Sequence, residues 1–240
     1  MKKDALALDV QATSQLQKLN VVSTDDTPKF DAKKSNRGHV VALFDGKEFV
    51  QSFTGGKNSV GVILDKTNFY AEAGGQVADI GEFILVGASS DDEAITVTDT
   101  QRYAGYVLHS CNVPAGTEIK VDEWKKAVCL LTFNHVKVGS AVETFVDLTA
   151  REPTMANHTS THILNHALLK VLGSHVDQKG SLCDADRARF DFSHKVPVTD
   201  EELVRIEGAK IYCVCVCVCV CVCFFFFFCL LLLLLLFFFF

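Results

Sequence analysis

His158, His162 and His166 recur at four-residue intervals in the run His158-Thr-Ser-Thr-His-Ile-Leu-Asn-His166. On a helix, side chains four apart leave one face about 5–6 Å from each other, so two imidazoles can reach one metal ion. Zinc takes four ligands, and one pair is half a site. Spacing does not choose between His158/His162 and His162/His166. A pair of helix histidines bonded to solvent or to the core stays open beside the metal reading. A zinc-protease helix is excluded, because Thr159 stands where that motif carries its general-base Glu. Two other stretches invite chemistry. Phe69-Tyr-Ala-Glu-Ala-Gly-Gly-Gln76 ends in paired glycines, which let the backbone turn sharply or approach a ligand closely; a plain hairpin turn is the alternative. Asp177-Gln-Lys-Gly-Ser-Leu182, with Arg187 and Arg189 after it, offers cations to a phosphate or simply forms a solvated strand face. Cys183 reads as a small buried hydrophobe.

The elements that must position these groups follow from periodicity. Residues 4–20 read as an amphipathic helix ending at Asn20, with Leu8, Gln15 and Leu19 on one face with Ala5 and Ala12. From 30 to 150 the pattern turns to short strands at 40–44, 60–64, 81–86, 94–98 and 106–109, with a turn at Asp45-Gly46-Lys47. That spacing predicts a small β-barrel. At about 151 the texture changes. Asn157 is placed to cap a helix over 158–172, and Gly173 stands where a left-handed C-terminal residue belongs. Residues 176–182 and 187–192 alternate as strands, the second with Phe190 and Phe192 on one side and Arg189 and Asp191 on the other. Thr199-Asp-Glu-Glu-Leu203 opens another helix with acids in its first turn. The expected class is α+β: a β-barrel, then a truncated α+β layer.

The composition mixes two unlike parts. Of 240 residues, 213–240 contain only Cys, Val, Phe and Leu, in counts of seven, five, nine and seven. The first 212 hold three Cys (Cys111, Cys129, Cys183), every charged residue, and about 42% apolar residues, an ordinary soluble balance. Three scattered cysteines make no disulfide framework, and no apolar stretch follows Met1-Lys2-Lys3, so a reduced intracellular compartment is expected. The net charge of −6 leaves no basic arm to grip nucleic acid by charge alone. No DNA partner is expected, and RNA must be met by local Lys and Arg. The tail exceeds the roughly 20 residues of a membrane span. Yet Cys-Val repeated five times has a strand period, and the flanks lack an aromatic belt and a basic cluster. An in-frame TG repeat reads as alternating Cys and Val codons, and a pyrimidine tract reads as Phe and Leu. The tail is therefore expected to be translated repeat DNA, and a membrane is a partner only if the tail is genuine protein.

In order and distance, Asn157-His-Thr-Ser-Thr-His-Ile-Leu-Asn165, Asp177-Gln-Lys-Gly-Ser-Leu182 and Arg187-x-Arg-Phe-Asp-Phe-Ser-His194 closely resemble the editing domain of the alanyl-tRNA synthetase family. Leu64-Asp-Lys-Thr-Asn-Phe-Tyr-Ala-Glu-Ala-Gly-Gly-Gln76 is similar to that family's glycine-rich segment, and Thr24-Asp-Asp-Thr-Pro-Lys-Phe30 to a stretch upstream of it. The resemblance covers roughly residues 4–208. It implies a β-barrel of the translation-protein type, then the editing domain common to threonyl- and alanyl-tRNA synthetases. That domain hydrolyses the ester of serine or glycine wrongly attached to alanine tRNA. A pocket for alanine cannot exclude the smaller glycine by size, so a second site must remove the error. The resemblance further implies His158 and His162 as two Zn2+ ligands and Thr161 and Gln178 as catalytic residues. Gly74, Gly75 and Gln76 become a substrate-binding loop, and the acceptor end of alanine tRNA the partner. Zinc would orient the amine or polarise ester and water, and both roles stay open.

The expected divisions are a helical segment from a preceding domain at 1–22, the barrel at 23–150, a partial editing domain at 151–212, and the tail. Residues 118–136 look inserted, because Ile119-Lys-Val and Val136-Lys-Val-Gly139 resemble one family position. The class II aminoacylation domain that comes earlier in the family is missing, so ATP and Mg2+ are expected only of a full-length parent. The family's second ligand pair, a Cys-x-x-x-His, is also missing, with no His after His194. The expectation is an alanine–tRNA ligase fragment, cytoplasmic or else mitochondrial, with weak or no zinc binding, little deacylation, and an editing region left inactive by the truncation. Two alternatives stand beside it. One is a free-standing alanyl-tRNA deacylase acting in trans, which the upstream helix and the Thr24-to-Phe30 stretch argue against. The other is a non-catalytic, tail-anchored RNA-binding module.

Overall fold

The computed structural model describes residues 6–56, 59–87, 94–121 and 140–209. The tail at 213–240 and most of the expected insertion lie outside these residues. The chain forms two compact units, Met1–Thr154 and Met155–Phe240.

In the first unit, helix α1 (Val10–Lys18) is shorter than the expected 4–20. The Asp9 carboxylate accepts the Ala12 N–H at 2.7 Å and starts the helix. Asn20, at φ 53°, ends it: Val21 N–H donates to Leu16 O and Asn20 N–H to Gln17 O, the paired bonds of a Schellman end. The expected apolar stripe needs correction, because Leu16 is buried while Leu19 is 60% exposed. Leu8, Ala12 and Leu16, four apart, make the inward face.

Strands β1 (Asn36–Phe44), β4 (Ser59–Leu64), β5 (Gly81–Leu85), β6 (Ile95–Tyr103), β7 (Tyr106–Asn112) and β9 (Ala141–Val146) close a six-stranded antiparallel barrel. Its order is β1-β4-β7-β6-β5-β9, and β9 pairs back to β1 through Asn36↔Thr144 to His39↔Ala141. Short β2 (Phe49–Val50) extends β1, and β3 (Ser52–Thr54) pairs with β8 (Glu118–Lys120). Ala104 and Gly105, both at positive φ, form the two-residue turn between β6 and β7. Val40, Val62, Leu64, Phe69, Phe83, Ile95 and Val97 fill the barrel. Leu8, Ala12 and Leu16 cover the opposite face of β1, β4 and β7 by packing on Ala42, Phe44, Ile63 and Leu108. The mixed α+β class and the barrel are thus as expected, although β9, which closes the barrel, has no counterpart among the expected strands. Ile119 of β8 is 1% exposed in the core, so the head of the expected insertion belongs to the fold.

Helix α2 (Leu148–Leu172) begins nine residues before the expected cap at Asn157. The cap is Asp147, whose carboxylate accepts the Thr149 N–H at 2.9 Å and hydroxyl at 2.6 Å. Asn157 lies inside the helix, and its amide donates to Asp184 O at 2.8 Å. The second unit holds the rest of α2, the hairpin of β10 (Asp177–Cys183) and β11 (Ala188–Ser193), and a helix over 200–209. Ala167, Leu168, Val176 and Ile206 form its core, with Phe190 and Phe192 packed against them as the alternation predicts. Thr199 and Glu202 cap the last helix reciprocally. Among the described residues, no helix is long and apolar enough to cross a membrane.

Candidate functional site

The glycine-rich segment of the first unit is built on a buried histidine. His109 in β7 donates Nδ1–H to Val62 O at 3.0 Å, which leaves Nε2 to accept the Thr67 hydroxyl at 2.9 Å. Phe69 N–H in turn donates to Thr67 Oγ1, and the rings of Phe69 and Phe83 meet the imidazole edge-on. Burial pushes the His109 pKa down to about 4, so the ring is neutral at pH 7. Beyond this anchor, Asp79 and Arg151 form a buried ion pair, with Tyr70 N–H donating to the same carboxylate. Burial pushes the Asp79 carboxyl up, opposed by the Arg151 charge. The Arg151 guanidinium also lies 5.2 Å from the Tyr70 ring centroid. Between these supports the chain turns at Gly74 (φ 61°) and Gly75 (φ 84°), closed by reciprocal bonds between Ala73 and Gln76. Two left-handed residues in succession make this a tight turn that requires glycine. Gln76 is buried at its end.

His158 and His162 face each other on α2, Nε2 to Nε2 at 3.1 Å, their ring centroids 5.0 Å apart. His166 is exposed on the same helix. The separation suits one ring N–H donating to the other's lone pair. It also suits two nitrogens on one tetrahedral ion, which bonds of about 2.05 Å place about 3.3 Å apart. Burial, and then the neighbouring His162, hold His158 below the usual histidine range. Thr161 is 7% exposed, and its hydroxyl donates to His158 O at 2.7 Å. Gln178 lies exposed on β10, paired with Phe192 beside a register shift.

Two contacts here were not read from the sequence. The Cys183 thiol, 1% exposed, hydrogen-bonds the Thr161 side chain from the far strand end. His175 Nε2 and His194 Nδ1 meet at 3.0 Å in a second, stacked pair. The hairpin register signals it, because Asp177↔Ser193 brings the flanking histidines across from each other. Among the described residues, no group of three or more His, Cys, Asp or Glu is gathered for a metal ion. His158 and His162 would make two of the four ligands that zinc takes, and the described residues gather no further two beside them.

Comparison with known proteins agrees with this architecture. The family model described as tRNA synthetases class II (A) matches residues 1–128, which include α1 and most of the barrel strands. The chain is 38% identical over 210 residues to the cytoplasmic alanine–tRNA ligase of Dictyostelium discoideum, covering 86% of this chain and 20% of the relative. It is 42% identical over 172 residues to the alanine–tRNA ligase of Methylobacillus flagellatus, covering 71% of this chain and 17% of the relative. It is 37% identical over 207 residues to the mitochondrial alanine–tRNA ligase of Saccharomyces cerevisiae, covering 86% of this chain and 19% of the relative. The chain thus spans about a fifth of the length of these relatives. The match to a class II synthetase model over more than half its residues, together with these ligases, places the chain in the alanyl-tRNA synthetase family.

Proposed function

We propose that the second unit is part of an editing site that hydrolyses seryl or glycyl esters of alanine tRNA, and that this chain alone carries it in an incomplete, inactive form. The observation that carries the reading is the 3.1 Å pair of His158 and His162 on α2. In an ester hydrolysis, water attacks the acyl carbonyl and the terminal ribose hydroxyl leaves. The His158 pKa, held below the usual range, keeps its ring neutral near pH 7, so its lone pair can accept a proton or a metal. Thr161 and Gln178 of the second unit would orient the substrate there; a substrate-binding role for the Gly74, Gly75 and Gln76 turn of the first unit is a separate part of the proposal. When bound, Zn2+ would supply Lewis-acid polarisation through His158 and His162. Two ligands of four do not hold it tightly. Ligation of alanine with ATP and Mg2+ belongs in this reading to other parts of a longer, cytoplasmic parent.

A chimaera tests the reading. Residues 210–240 are replaced by the segment that follows the matched region in the Dictyostelium relative. The chimaera should hydrolyse seryl-tRNA(Ala) at least about 100-fold faster than the original chain, a factor that one oriented catalytic group supplies. Substituting His158→Ala or His162→Ala should remove the gain. A chimaera that folds and does not hydrolyse the ester, or one indifferent to both substitutions, overturns the proposal.

A further inference from the structure

We infer that Phe30 is a stacking platform for an unpaired base of RNA, presented beside a fixed lysine ammonium. Phe30 is 82% exposed, yet the 3-10 turn that carries it, Thr27–Asp31, is tied down at each step. Thr27 N–H donates to the Asp25 carboxylate at 3.0 Å, and Arg151 donates to Lys29 O at 3.0 Å. These bonds present the open ring to solvent in a fixed orientation, as a base-stacking platform requires. Lys29 Nζ stands 5.3 Å from the Phe30 ring centroid and 5.9 Å from that of Tyr70. It does not swing freely, because the Asp26 carboxylate oxygen at 2.7 Å holds it, and Arg102 reaches the same oxygen at 2.9 Å. Two cations thus share one carboxylate beside an aromatic ring, on a chain whose overall charge is −6.

The chemistry around the ring favours RNA over a protein partner. Phe30 is a single exposed aromatic among charges, whereas a protein anchor sits in a contiguous apolar patch. Lys33 and Lys34 lie close in sequence in exposed pairs with Glu152 and Asp31, which cost little to exchange for phosphate. Aromatic rings interleaved with cations are how single strands are held: the ring takes the base and the cations take the backbone. The inference rests on the proposed tRNA partner and adds to it a place on the barrel, away in sequence from the histidines.

The test uses the full chain and two labelled probes, octaadenylate RNA and an abasic ribose-phosphate octamer of the same charge, followed by fluorescence anisotropy. Octaadenylate should bind more tightly than the abasic probe. Phe30→Ala should weaken octaadenylate binding by between about five- and 150-fold without changing the abasic probe, and Phe30→Tyr should retain it. Lys29→Ala should weaken both probes and flatten the salt dependence. Because the ring is exposed, Phe30→Ala should melt at the parent temperature, and the His158→Ala/His162→Ala chain should keep the base preference. The inference is overturned if both probes bind alike, or if Phe30→Ala leaves octaadenylate binding unchanged; the second result would point to a protein partner for this ring. A base preference that persists while the chimaera fails to deacylate would separate this inference from the editing proposal.

Discussion

The Nε2 atoms of His158 and His162 stand 3.1 Å apart, one turn along α2. The pair can share a proton or share a cation, and each use excludes the other. Asn157, one residue earlier, fastens this turn to the β10–β11 loop through Asp184 O. Thr161, three residues on, meets the Cys183 thiol of β10. The pair is therefore held by the hairpin as well as by the helix.

The barrel carries an acid-sensitive group at its centre. The His109 pKa is about 4 in the fold, against an unfolded value near 6.5. A depressed histidine pKa means that the unfolded chain takes up the proton first. The contribution is thus fully present above about pH 6.5 and is lost as pH falls toward 4, by about 3 kcal/mol in all. Urea unfolding of the first unit at pH 7.5, 6 and 4.5 should show this fall, and His109→Gln should flatten it. An equal pH dependence in both chains would exclude His109 as the source.

Removing one partner of a buried ion pair leaves the other charge without compensation. Arg151→Met should destabilise the first unit by about 3–5 kcal/mol, because Asp79 stays buried with a single backbone donor from Tyr70. The double variant Asp79→Asn/Arg151→Met should recover part of that loss. Chemical denaturation of the three chains makes the comparison, and a loss below about 1 kcal/mol in Arg151→Met would put the pair's role in doubt.

Lys120 and Ser140 already meet: Ser140 N–H donates to Lys120 O at 3.3 Å, and Lys120 N–H to Ser140 Oγ at 3.0 Å. Deleting residues 122–138 would leave Lys120-Val-Gly-Ser140, four residues whose closing bond is this one, with Gly139 at the third turn position that favours glycine. The deletion should keep the melting temperature and circular-dichroism signature of the barrel. Loss of cooperative unfolding would show that the stretch is required.

Much of this was legible in period and punctuation. Strands β1, β4, β5, β6 and β7 show as short apolar or β-branched runs between turn residues, and Asn20 and Gly173 do stand at positive φ near their helix ends. β9 alternates too, as Ala-Val-Glu-Thr-Phe-Val, but its partners β1 and β5 are distant in sequence, and only closure of the barrel reveals them. The early start of α2 was hidden by Pro153, which reads as a breaker. So near the helix start it forfeits a single bond, to Thr149 O, and the Asp147 cap offsets that loss. The choice of His158 and His162 over His162 and His166 depended on rotamers, which spacing does not carry.

Zinc titration of the full chain tests the proposal that His158 and His162 form half of an editing metal site. Binding should be weak, saturating only at micromolar zinc or above. That binding should fall as pH drops through the histidine range and vanish in His158→Ala/His162→Ala. One zinc per chain that survives dialysis against a chelator, or binding unaffected by the double substitution, would contradict it.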